Sequence, residues 1–158
     1  MTDIVSVPSP ASAPLRLVRR AVSLLDRIPH AVVGLCARLF PAAVFWQSGQ
    51  TKVDGFALSD SAVVLFREDY KLPFVDPLIA AHAAAIAEHL FPALLVVGLA
   101  SRASALALLV MTAVIQIFVY PGAWPTHGVW ATCLLVVLAR GPGLVSLDHL
   151  IARRFVGR

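Results

Sequence analysis

Four long apolar stretches, separated by short polar segments, run along this chain of 158 residues. They cover residues 30–48, 74–100, 103–120 and 126–139, and the last is the shortest. A helix needs about 20 predominantly apolar residues to cross roughly 30 Å of hydrocarbon. Little chain remains for a separate water-soluble domain. The pattern therefore predicts an all-α fold, an integral membrane four-helix bundle.

The composition favours the same class of protein. The chain is 59% hydrophobic and 14% charged, whereas soluble domains are about 45–50% apolar and about 25% charged. A soluble helical bundle is the less favoured alternative, because its amphipathic helices would each carry a polar stripe. The net charge of +4 is concentrated at the ends of the apolar stretches. That arrangement is typical of membrane topology and does not indicate nucleic-acid binding.

The basic residues outside the spans predict the orientation. Nine arginines lie on the side of both termini, and the other side carries only Lys52, Arg67 and Lys71. Positive residues are enriched in cytoplasmic loops. We therefore expect a multi-pass protein of the plasma membrane with both termini in the cytoplasm.

The segments around the spans predict four regions. Residues 1–14 are rich in Ser, Pro and Ala and predict a disordered tail without a removable signal peptide. Residues 15–28 predict an interfacial amphipathic helix, with a simple extension of the first span as the alternative. Residues 29–143 form the four-span domain, whose outer loop carries a short helix over 62–70 after the capping sequence Ser59-Asp60-Ser61. Residues 144–158 form a basic cytoplasmic segment.

Polar side chains within the spans are the main candidates for function, because burying them in lipid is costly. Counted at 1.5 Å per residue from the cytoplasmic ends, Arg38 lies roughly 13 Å deep and Glu88 roughly 15 Å. The matching depths predict a buried Arg38–Glu88 ion pair, either a structural pair that fixes helix register or part of a functional site. The predicted ligand-binding or polar cluster comprises Arg38, Glu88, His89, Gln47, His82 and His127.

The histidines do not define a metal site. His82 and His89 share one helix face but lie about 10.5 Å apart along it, too far to bind one ion together. His89 could join Arg38 and Glu88, while His82, Gln47 and His127 lie nearer the outer face. Each histidine is also consistent with hydrogen-bonded packing alone. Copper or zinc binding is therefore only a weak hypothesis.

Two cysteines, Cys36 and Cys133, are the last candidates from the residues alone. Each lies seven residues from the cytoplasmic end of its span, so their depths match. If the first and fourth spans are neighbours, the two could form a thiol pair or a disulfide. The alternative is close helix packing, for which small residues are favoured.

Short motifs in a characteristic order give the chain a resemblance to the DoxX family. The motifs extend over most of the chain, and they are Arg38, Phe45-Trp46-Gln47-Ser48-Gly49, Lys52, Leu72-Pro73, Glu88, Gly98-Leu99, Arg102, Trp124, His127, Trp130, Gly141-Pro142-Gly143 and Ser146-Leu147-Asp148. The resemblance implies a four-span protein of the bacterial inner membrane. It also implies an association with quinone-linked oxidoreductases or membrane stress systems, and it maps the family's Arg-plus-Glu arrangement onto Arg38 and Glu88.

The functional hypothesis is an accessory membrane subunit of a redox or metal/oxidant-stress system, and a catalytic role is less favoured. A quinone is the candidate ligand, with Arg38 as donor, Glu88 as counter-charge and His89 as proton carrier. The sequence has no CxxCH haem motif and no Gly-rich nucleotide loop. Expected partners are the lipid bilayer, other membrane or redox subunits, and further copies of the chain. The alternatives are transport of a solute, ion or proton by an oligomer, and a purely structural scaffold.

Overall fold

The computed structural model describes residues 13–70 and 72–155. The helices are α1 Ala13–Leu25, α2 His30–Gln50, α3 Asp60–Glu68, α4 Pro77–Val97, α5 Ser101–Val114, α6 Trp124–Arg140 and α7 Leu147–Phe155. A π-helical turn, Ile115–Val119, continues α5, and a 3-10 turn, Pro121–Ala123, leads into α6. Two short antiparallel strands, β1 Val53–Asp54 and β2 Ala57–Leu58, form a hairpin between α2 and α3.

Four of these helices are long and apolar enough to cross a membrane: α2, α4, α5 with its π-helical turn, and α6 with the preceding 3-10 turn. Helix α2 packs against α4 and α6, and α5 packs against the same two helices. The chain thus forms a closed ring of four antiparallel spans. The predicted all-α membrane bundle is confirmed.

The interior and exterior of the bundle are apolar in different ways. The interior combines large side chains with small ones that let the helices approach closely, among them Ala42, Phe45, Leu95, Ala105, Leu108, Leu134 and Val137. The exterior of the spans carries large apolar side chains that are more than half exposed, including Phe40, Ile86, Val110 and Val129. Exposure of so much apolar surface to water would be unfavourable, whereas lipid chains can cover it.

The ends of the bundle differ in the elements that they carry. The end formed by α1, the α4–α5 turn and α7 is called the basic face below. The end formed by the hairpin, α3 and the α5–α6 turn is called the loop face. The chain alternates between them at each span, as an up-and-down bundle must.

The shorter elements agree with the predictions apart from their limits. Helix α1 covers Ala13–Leu25 instead of 15–28, and its described side chains are all exposed. Helix α3 begins two residues early, at Asp60, because the Ser59 hydroxyl accepts a hydrogen bond from the Ala62 amide at 3.2 Å. The fourth span begins before residue 126, since Pro125 fits the first turn of α6. The predicted tail lies outside the described residues except for residues 13 and 14, which begin α1.

Candidate functional site

A cavity of about 430 Å³ lies among the spans near the loop face. Apolar side chains of α2, α4, α5 and α6 form most of its wall, and its polar lining residues are Ser48, Lys52, Tyr70, Glu88, Tyr120 and His127. Small-molecule sites typically have volumes of about 300–1,000 Å³ and mostly apolar walls with a few placed polar groups. The cavity is therefore the candidate ligand site of this protein.

A buried ion pair between Lys52 and Glu88 lines this cavity. The Lys52 Nζ lies 2.7 Å from Glu88 Oε2, and the two residues are only 4% and 3% exposed. Lys52 follows the end of α2 and reaches back one turn, where its Nζ donates to the Ser48 hydroxyl at 3.1 Å. A buried charge needs such partners, because desolvation of a lone ion is costly. The pair provides both a cationic donor and an anionic acceptor beside an apolar space.

Gly49 brings the two helices of this pair close together. A Cβ atom at Gly49 would lie 2.9 Å from His89 Cε1 and 3.1 Å from Glu88 Cβ. Both distances are too short for an ordinary contact, so a side chain here would separate α2 from α4. The glycine therefore allows Lys52 to reach Glu88.

His127 contributes a second polar group to the lining. It is 5% exposed, and its Nδ1 lies 2.7 Å from Gln116 Oε1. The Gln116 side-chain amide donates to the Pro121 carbonyl at 2.7 Å, so its oxygen is the atom that faces His127. Because that oxygen can only accept, Nδ1 donates, which leaves Nε2 as the acceptor when the ring carries one proton. The π-helical turn after α5 places Gln116 for this contact, in line with the frequent occurrence of π turns at functional sites.

Two tyrosines connect α3 to the end of α5 beside the cavity. The hydroxyls of Tyr70 and Tyr120 lie 3.1 Å apart, and their rings meet edge to face with centroids 5.6 Å apart. Burial and the neighbouring Tyr120 hydroxyl raise the pKa of Tyr70 well above its usual value. Tyr70 therefore stays neutral and remains a hydrogen-bond donor to its surroundings.

Arg38 lies at the opposite end of the bundle, so the predicted Arg38–Glu88 ion pair is wrong. Its guanidinium, buried at 1% exposure, donates to the Leu95 carbonyl at 3.2 Å and to the Val145 carbonyl. The carbonyls of the last helical turn have no partners within the helix, and an arginine side chain can satisfy them. The predicted depths assumed that α2 begins and α4 ends in the same plane. In the structure, α4 ends at the level of the Arg38 guanidinium.

The turn after α4 is built around this guanidinium. Gly98 has a left-handed backbone, with φ of 72°, and a Cβ atom there would overlap with Arg38 Nη1. Only glycine combines that backbone conformation with the missing side chain. Arg38 thus belongs to the structure of the basic face, far along α2 from Lys52.

Of the six residues predicted to form the polar cluster, only Glu88 and His127 line the cavity. His89 donates from Nδ1 to the Ala85 carbonyl at 2.7 Å and accepts from the Gln50 amide at 2.8 Å, next to the ring of Trp46. His82 bonds to the Leu78 carbonyl of its own helix, and Gln47 is exposed. Four polar residues that line the cavity were not predicted as site residues: Ser48, Lys52, Tyr70 and Tyr120.

The cysteines and the histidines do not form a joint site in the structure. Helices α2 and α6 are neighbours, as the thiol hypothesis required, but Cys36 and Cys133 are both free thiols. Cys36 is exposed on the bundle, and Cys133 packs against the core. Within residues 13–70 and 72–155, no three His, Cys, Asp or Glu side chains are grouped as metal ligands would be.

Comparison with known proteins identifies one family. The DoxX family model matches residues 33–121, which include Lys52, Tyr70, Glu88 and Tyr120 but not His127. No curated protein matches the chain. No solved structure matches it either.

Proposed function

Because the chain belongs to the DoxX family, we propose that it is an accessory subunit of a membrane redox or oxidant-stress system. In this role it binds a lipophilic small molecule of the quinone class in the cavity near the loop face. The observation that carries the proposal is the buried Lys52–Glu88 pair in the wall of an otherwise apolar cavity of about 430 Å³.

The chemistry of the lining suits a flat apolar ring with oxygen substituents. The ammonium of Lys52 can donate to a carbonyl oxygen, which is the polar group of an oxidised quinone. The carboxylate of Glu88 and Nε2 of His127 can accept from a hydroxyl, the polar group of the reduced form. Trp130 and Phe45 also line the cavity, and their rings meet edge to face with centroids 5.5 Å apart. The site thus has partners for both forms of such a molecule.

Transport through a single chain has less support from the geometry. Between Arg38 and Lys52, the buried side chains of α2 that face the interior are apolar: Pro41, Ala42 and Phe45. Among the described residues, the buried charged side chains therefore fall into two separate groups, Arg38 in one and Lys52 with Glu88 in the other. A transport function would need an assembly of several chains, with the path between them.

The orientation and location are also part of the proposal. The basic face carries the arginines of α1 and α7, and positive residues favour the cytoplasmic side of a bacterial inner membrane. Helix α1 would then lie on the cytoplasmic surface. The cavity would face the outer leaflet, where a lipid-soluble ligand can enter between the spans.

A titration of the purified full-length protein in lipid nanodiscs with decylubiquinone tests the proposal. Quenching of tryptophan fluorescence reports binding, because Trp130 lines the cavity. We expect saturable binding that Glu88→Gln weakens by about tenfold, the loss of one charged hydrogen bond. His82→Gln, a change on the same helix outside the cavity, is the matched control and should bind normally.

Three results would overturn the proposal in favour of an alternative. Absence of saturable quinone binding in a folded protein would exclude the quinone class, and mass spectrometry of co-purified molecules would then identify any other ligand. Solute or proton flux into liposomes that Glu88→Gln abolishes would favour transport. A protein with neither binding nor flux would be a scaffold.

A further inference from the structure

A second concave site, a groove of about 1020 Å³, lies at the basic face. It is formed by the start of α2, the start of α5, the end of α6, the loop of residues 141–144 and part of α7. Two arginines, Arg102 and Arg140, and two histidines, His30 and His149, form one part of its wall. The other part is apolar and comprises Val33, Ala103, Val136 and Leu144. It lies at the opposite end of the bundle from the cavity that contains Glu88.

The two arginines of this groove are not neutralised by the protein. Across the described residues, Lys52–Glu88 is the one cation–carboxylate contact within 4.0 Å. The groove does contain a carboxylate, Asp148, but its oxygens accept from the Ala100 amide at 2.8 Å and the Ser101 amide at 2.9 Å. Asp148 therefore caps the first turn of α5 and forms no ion pair with Arg102 or Arg140.

The groove also holds one arginine in a defined place. The Arg102 guanidinium lies over the loop after α6, since a Cβ atom at Gly141 would lie 3.5 Å from Arg102 Nη2. Arg140 precedes that glycine and lines the same groove. Guanidinium groups bind phosphate oxygens through paired N–H donors.

We propose that this groove binds the phosphate head group of an anionic phospholipid, with Arg102 and Arg140 as its cationic contacts. The groove lies where the spans end, which is the depth of lipid head groups. Its apolar wall includes Val33 and Leu144, which are 46% and 65% exposed on the bundle surface. An acyl chain can pack along that apolar wall, whereas a free phosphate ion would gain nothing from contact with it. Basic pockets between spans are known to hold such head groups.

Native mass spectrometry of the full-length protein, released from vesicles of phosphatidylglycerol and phosphatidylcholine, tests this site. We expect the protein to retain phosphatidylglycerol preferentially. The double variant Arg102→Gln/Arg140→Gln should retain about thirtyfold less, in line with roughly 1 kcal/mol per arginine near a membrane surface. The control Arg153→Gln/Arg154→Gln removes the same charge from exposed positions of α7 that do not line the groove, so it should reduce retention far less than the groove variant.

Further variants separate the site from its alternatives. Equal loss in the control and the groove variant would overturn the proposal in favour of a general effect of charge. Displacement of the lipid by an equal concentration of glycerol 3-phosphate would assign the site to soluble phosphates. Ala103→Trp fills the groove from an exposed position without changing charge, and it should reduce retention even if the arginine variant does not fold. Unchanged retention in a folded Ala103→Trp protein would refute the site.

Discussion

The Lys52 ammonium lies 2.7 Å from the Glu88 carboxylate, although Lys52 follows the end of α2 and Glu88 lies well inside α4. The long side chain of Lys52 reaches back along its helix, as lysines near span ends commonly do. Here it points into the protein instead of toward the head groups. The contact fastens the end of α2 to the middle of α4.

Removing either partner of this pair should be more harmful than removing both. Lys52→Met leaves Glu88 buried and unpaired, and Glu88→Leu does the same to Lys52, so each should lower the free energy of unfolding by about 3–5 kcal/mol. The double variant should lose less than either single variant. Thermal unfolding of the purified proteins in one detergent measures the cycle. Additive losses would contradict a direct contact.

Gly98 should be intolerant of any side chain. Gly98→Ala places a methyl group against Arg38 and Ser146 on a left-handed backbone, with φ of 72°, and should destabilise the protein by at least about 1–3 kcal/mol. Gly122→Ala is the matched control, because no atom lies within 4 Å of its added Cβ. The apparent melting temperature should fall for the first variant only. Equal values would contradict the packing around Arg38.

Filling the cavity should abolish ligand binding without unfolding the protein. Ala87 lines the cavity, so Ala87→Phe occupies part of its volume, whereas Ala93→Phe changes an exposed position of the same helix. We expect decylubiquinone binding to be lost in the first variant and kept in the second. Size-exclusion profiles in detergent check that both remain folded. Normal binding by Ala87→Phe would place the ligand elsewhere.

Labelling of introduced cysteines should establish the orientation of the bundle. In a background with Cys36→Ser and Cys133→Ser, a membrane-impermeant maleimide should label Asp54→Cys on the loop face of intact cells. It should label Arg153→Cys on the basic face only after the membrane is permeabilised. Both positions are exposed, so accessibility depends on the side of the membrane alone. The opposite pattern would reverse the topology that the arginines predict.

The architecture could be predicted from the sequence because hydrophobic length alone decides what spans a bilayer. The helix of the outer loop was predictable because Ser59 can cap it, but its start at Asp60 lies two residues before the predicted one. The early start of α6 was not predictable, because the Pro125 ring reads as an interruption although it fits a first helical turn.

The site was only partly predictable. Glu88 and His127 stand out because polar groups are rare inside spans. Lys52 does not, because it follows an apolar stretch and resembles an ordinary loop cation. The available signal was its spacing of four residues from Ser48, which puts both on one helix face. The partner of Arg38 could not be predicted, since it is a backbone carbonyl and any residue could supply it.

The cap that Asp148 places on α5 has a consequence for the order in which the bundle is completed. Asp148 lies 47 residues after the Ser101 amide that it binds, and Val145 lies 107 residues after Arg38. During synthesis, α5 therefore enters the membrane before Asp148 can accept from its first amides. Arg38 likewise lacks the Val145 carbonyl, one of its two acceptors, until the loop after α6 has been made. The basic face can close only when the last helix has emerged. Deletion of α7 would remove Asp148 and thus leave the first turn of α5 without its cap.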